Sequence, residues 1–144
     1  MSKRRHARES ALQILFQFEF DGSCLDAVIE KFLAVRKADE KERKYCHYLV
    51  RGVTDHREEI DAEIQSLSKN WKISRMGLID RNILRLAAFE LMYADDLAAA
   101  IVINEAVEIA KKFGGEGSAN FINGVLDSLT KRIKSRQGKQ EEMP

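Results

Sequence analysis

The stretch LIDRNILRLAAFELMYA, Leu78 to Ala94, decides the fold. Its apolar residues follow the helical period but spread over most sides of the helix, and such a helix belongs at the centre of a bundle. The only proline is Pro144, so nothing before it locks φ or removes a backbone donor. The chain therefore reads as all-α. Glu90 shares a face with Ile79, Ile83 and Leu86, so it is expected to be buried and to need a partner, for which Arg81 and Arg85 are candidates.

Six further helices flank this one. Upstream, Arg4 to Phe20 is a helix closed by the turn DGSC. Leu25 to Lys37, Asp39 to Asp55 and Glu58 to Leu67 follow, each with apolar residues at helical spacing. Ser68 to Gly77, SKNWKISRMG, holds no sustained period and reads as the longest loop, with Trp71 plugging the core from it. Downstream, a helix opening at AAAIVINEAVEIAKKF ends at Gly114, with Lys111 and Lys112 in its last turn. The last helix starts with Ser118 as N-cap and buries Ile122, Val125, Leu126, Leu129 and Ile133. One domain over 1–135 and a flexible charged tail over 136–144 complete the organisation.

At 144 residues the chain can form one ordinary core. Charged residues make up 33%, and no apolar run approaches the roughly 20 residues of a membrane helix. With no leader pattern and only Cys24 and Cys46, a cytoplasmic protein with reduced thiols is expected. The formal net charge of +1 conceals an asymmetry, because residues 1–10 and 131–144 each carry +3 and the body between them −5. Basic ends on an acidic body point to a polyanion.

Enzymatic constellations are sparse. FGGEGSANF lacks the lysine of a phosphate-binding loop, and His6, His47 and His56 are dispersed. In DHREEID, His56 and Glu59 stand three apart, a fragment of a metal site without its other ligands; Cys46 and His47 point about 100° apart on a helix. No catalytic residue, metal or cofactor is expected.

Binding residues are better represented. On the first helix Ala11, Leu12, Ile14, Leu15 and Phe18 form the core face, whereas Phe16 falls about 120–130° from its centre and Phe20 almost opposite. Those two rings need a cover, either within the chain or from a second protein. Before the last helix, GGEGS offers free N–H groups at a positive dipole end, and Phe121 lies one turn in, off the apolar stripe. Cations beside an unburied ring suit single-stranded nucleic acid.

Taken together, RRHARESALQILFQFEF, DRNILRLAAFEL, INEAVEIAKKFG and FINGVLD, in this order and spacing, resemble the NusB family of bacterial transcription antitermination factors. The resemblance implies seven helices in two packed three-helix groups and a non-enzymatic role. It implies binding of boxA RNA in nascent ribosomal RNA transcripts, together with the ribosomal small-subunit protein NusE, within the RNA polymerase antitermination complex. It also implies RNA contacts for Lys3, Arg4, Arg5, Arg8, Glu116, Ser118, Asn120 and Phe121, and a NusE-facing surface containing Phe16, Phe20 and Asp80. A homodimer of the free protein stays open, as does a relationship to the RNA-binding N-terminal domain of ribosomal RNA cytosine methyltransferases. If Arg4, Arg5 and Arg8 each face a phosphate, removing all three should flatten the salt dependence of binding at no cost in stability.

Overall fold

The structure, a computed structural model, describes residues 2–20, 22 and 24–142, with side chains through residue 138. Seven α-helices occupy the described residues: α1 (Lys3–Phe20), α2 (Leu25–Arg36), α3 (Glu40–Asp55), α4 (Arg57–Leu67), α5 (Leu78–Tyr93), α6 (Ala99–Phe113) and α7 (Ser118–Glu142). A 3-10 turn, Ile73–Arg75, lies ahead of α5. α1 packs on α2 and α3 to make one group of three, and α5, α6 and α7 make the other.

α5 is the hub, touching α1, α3, α4, α6 and α7. Accordingly its residues from Asn82 to Glu90 are all buried. The N-terminal end of α3 is fixed locally: the Asp39 carboxylate accepts the Glu42 N–H at 2.9 Å, an N-cap that anchors the first turn. Lys37 closes α2 in the left-handed region at φ 58°.

α7 departs from expectation at its C-terminal end. The backbone stays helical to Glu142, past residue 135 where the tail was expected to begin. Arg132 and Arg136, one turn apart, both reach Glu63 on α4, at 3.0 and 2.7 Å. Those contacts hold the helix against α4 across the expected boundary.

One close approach depends on a glycine. The Phe89 ring of α5 lies against the backbone of α3 at Gly52, where a β-carbon would overlap the ring. Gly52→Ala should therefore destabilise the fold by about 1–3 kcal/mol through overpacking, even though alanine favours helix. Urea denaturation followed by circular dichroism tests this. A midpoint at or above that of the parent would mean that the ring moves aside freely.

Candidate nucleic-acid interface

The N-terminal cations lie along the first two turns of α1, and successive positions turn about 100°. They consequently meet different surroundings. Lys3 is exposed and pairs with Asp39 at 2.7 Å. Arg4, 46% exposed, reaches Asp96 at a loose 3.5 Å and rests over the Tyr45 ring, 4.6 Å from its centroid. Arg5 forks onto Glu105 of α6 at 2.7 and 3.0 Å, and that hydrogen-bonded carboxylate raises its pKa.

Arg8 corrects the expectation. Its side chain is 6% exposed and bound through two nitrogens to Glu90, at 2.8 and 2.9 Å. Burial opposes its charge, but the Glu90 carboxylate outweighs that and raises its pKa. Arg8 therefore serves the core and has no free face for a phosphate, so removing it would cost stability. Arg8 stands three, four and seven residues before Ala11, Leu12 and Leu15, which is the sequence signal for its burial.

Glu90 is buried and partnered as expected, but by Arg8 and by the Tyr45 hydroxyl, which donates to it at 2.5 Å. Burial, then the Glu90 charge, pushes the Tyr45 phenol up, so it keeps its proton. Arg81 and Arg85 turn elsewhere, to Glu19 of α1 at 2.9 and 3.1 Å, and Arg85 also grips Asp61 of α4 at 2.8 Å. Five residues separate Arg85 from Glu90, placing them about 140° apart on the helix.

Phe121, half-buried, lines a groove with Trp71, Arg75, Met76, Gly77, Asp80, Glu116, Gly117 and Ser118. Gly117 takes φ +83°, which a side chain would strain, and so turns the chain into α7. Ser118 is the first residue of that helix rather than its N-cap. Its hydroxyl accepts the Gly115 N–H at 3.0 Å and donates to Asp80 at 3.1 Å, tying the loop to the start of α5. Asn120 is exposed one residue before Phe121. Ser118, Phe121, Glu116 and Asp80 are thus brought together, whereas the α1 cations engage α3, α6 and the turn at Asp96.

Phe16 and Phe20 sit on a separate face. Their rings meet edge to face at 5.3 Å, and Phe20 is 70% exposed. With Leu12, Gln13, Gln17, Phe32, Ile79 and Phe113 they line an open apolar groove. Asp80, the next residue after Ile79, points instead into the Phe121 groove, so the structure separates it from the two phenylalanines.

Trp71 does not plug the core. It is 61% exposed, and its ring forms a wall of the Phe121 groove. Sequence reasoning equated a large apolar ring with burial and passed over this residue as a binding group, although the stretch around it, Ser68 to Gly77, holds no sustained helical period. His56 stacks on Tyr93 at 4.2 Å and lies 3.6 Å from Glu59; among the described residues no third ligand completes a metal site. No helix of the described chain is long and apolar enough to cross a membrane.

Comparison with known proteins gives a consistent result. The NusB family model matches residues 5–131. The transcription antitermination protein NusB of Trichlorobacter lovleyi is 47% identical over 130 residues, 90% of this chain and 91% of its own. That of Desulforapulum autotrophicum is 43% identical over 143 residues, 98% of this chain and 100% of its own. Among solved structures, T. maritima NusB superposes with a TM-score of 0.83 at 36% identity, covering 89% of this chain and 90% of that one. A chain from the crystal structure of the antitermination factors NusB and NusE in complex with dsRNA does so with 0.82 at 28% identity, over 92% and 98%. The family model and the near-complete matches to these relatives agree: the chain belongs to the NusB family.

Proposed function

We propose that the chain acts as a transcription antitermination factor, binding boxA RNA of nascent ribosomal RNA together with NusE and so helping RNA polymerase read through terminators. The observation that carries this reading is that the one folded domain leaves two aromatic faces open, and they differ in chemistry. The Phe121 groove is the more polar of the two and sets Arg75, Asp80, Glu116 and Ser118 beside its aromatic rings, a mixture that suits the phosphates, base edges and base faces of a nucleic acid; the Phe16–Phe20 groove is apolar, which suits a protein. A relative of this fold occurs with both partners, NusE and dsRNA, in one crystal structure.

In this reading Lys3 and Arg4, the most exposed of the α1 cations, supply phosphate contacts, with Arg5 beside them. Phe121 stacks on a base, and Asn120 and Glu116 offer polar groups to its edges. Arg8 supports the site by fixing α1 against α5.

Phe121→Ala should weaken boxA binding by roughly ten- to a hundredfold, the equivalent of one base–aromatic stack, with an unchanged salt slope. Lys3→Ala combined with Arg4→Ala should do the opposite, flattening the slope of log K against log salt by about 1.4, at roughly 0.7 for each single-strand contact. Gel shifts at several salt concentrations, with melting temperatures alongside, test both. A Phe121→Ala protein of lower stability whose folded fraction binds RNA undiminished would remove the ring from the site.

A further inference from the structure

Trp71 is held outward by a built loop. Its N–H donates to the Ser68 carbonyl at 2.9 Å, and its own carbonyl accepts from the Gln65 side-chain amide at 2.9 Å. The other end of that amide, Oε1, accepts the Ile73 N–H at 3.0 Å. Arg81 of α5 donates to the Ile73 carbonyl at 3.5 Å. A backbone pinned at both sides of the residue presents an indole that is 61% exposed. Among the described residues, neither Trp71 nor Phe121 stacks on another aromatic ring. Both faces of the groove therefore carry ring surface without a ring partner.

The charge around Trp71 has one sign. Between Ser66 and Ile79 the chain contains Lys69, Lys72 and Arg75 and no acid, and all three cations are exposed. Arg132 and Arg136, by contrast, are engaged with Glu63, whereas Lys69, Lys72 and Arg75 have no carboxylate partner among the described residues. The groove's own carboxylates, Asp80 and Glu116, lie on the α5 and loop side of it. Unpaired cations flanking one wall and acceptors on another match a nucleotide strand, whose phosphates are anionic and whose base edges carry N–H donors.

We infer that Trp71 is a second stacking platform for single-stranded RNA, facing the groove that Phe121 lines, with Lys69, Lys72 and Arg75 holding the phosphates on its side. The inference rests on the RNA-binding reading above and extends the site from one ring to two. Gln65 is then a positioning residue, acting through the loop it pins.

Because Trp71 is the only tryptophan, its emission reports on this wall alone. The wild-type chain titrated with a boxA RNA oligonucleotide should show quenching that follows the same isotherm as the anisotropy of end-labelled RNA. Trp71→Ala should bind roughly tenfold more weakly and Trp71→Phe within about threefold of wild type, since stacking needs a ring more than an indole. Melting temperatures of both variants should match wild type, because the side chain is exposed. RNA binding with unchanged emission and an undiminished Trp71→Ala affinity would overturn the inference and leave RNA binding by Phe121 standing. Loss of NusE binding by Trp71→Ala with RNA affinity intact would overturn it in favour of a protein surface. Failure of the wild-type chain to bind boxA RNA even with NusE present would remove the RNA reading itself, and this inference with it.

Discussion

Glu90→Gln is expected to lower the unfolding free energy by about 3–5 kcal/mol, because it leaves the buried Arg8 guanidinium without its counter-charge. The substitution keeps the side-chain volume, so a cavity does not explain the loss. Arg8 is 6% exposed and Glu90 2%, and water cannot replace the missing charge without opening the contact between α1 and α5. Pairing Arg8→Met with Glu90→Leu should recover most of the stability, since it removes both charges and fills the space with apolar atoms. Urea denaturation of the single and double variants distinguishes this from packing. A cost below about 1 kcal/mol for Glu90→Gln, the range of an exposed pair, would mean that solvent reaches the pair.

Phe16→Asp should reduce NusE binding at least thirtyfold, as for the loss of an interface anchor of 2 kcal/mol or more, while the chain stays folded. The ring is only half-buried and leans on Phe20, itself 70% exposed, so the core gives up little when it goes. A carboxylate placed in the groove among Leu12, Phe32, Ile79 and Phe113 would be desolvated by any partner that covers it. RNA affinity of the chain alone should not change, because Phe121 lines a different groove. Calorimetric titration with NusE measures the first effect and circular dichroism the second. Unfolding of the variant by several kcal/mol, as for a core aromatic, would reassign Phe16 to the interior.

The helices were legible because periodicity and the absence of internal proline act locally. Expected and observed boundaries of α2, α3 and α5 differ by about a residue, and the central place of α5 followed from its all-round apolar character. Phe16 and Phe20 could be read as lying off the core face for the same reason. What failed depended on other elements. Arg8 resembles Arg4 and Arg5 in a run of cations, and only its spacing to Leu12 and Leu15 sets it apart. The partner of Glu90 lies 82 residues away, and no rule along one helix predicts it. Trp71 was misplaced because hydrophobicity reports a tendency to be buried, while its exposure is fixed by hydrogen bonds from Gln65, a residue with no visible link to it in sequence.

The two ion clusters joining α1 to α5 have opposite polarity. Near its start α1 offers the cation of Arg8 to the anion of Glu90, and near its end it offers the anion of Glu19 to the cations of Arg81 and Arg85. The two contact points on α1 are 11 residues apart, roughly 16 Å along the axis at 1.5 Å per residue. Sliding α1 by one turn breaks both clusters, and laying it in the reverse direction sets Arg8 against arginines and Glu19 against Glu90. Apolar contacts alone would tolerate either error, since leucine and alanine faces fit one another in several registers. The clusters thus work as a keyed joint that admits a single alignment of the first helix, and that alignment is what sets Lys3 and Arg4 beside Asp39 and Asp96 and the two phenylalanines beside Ile79 and Phe113.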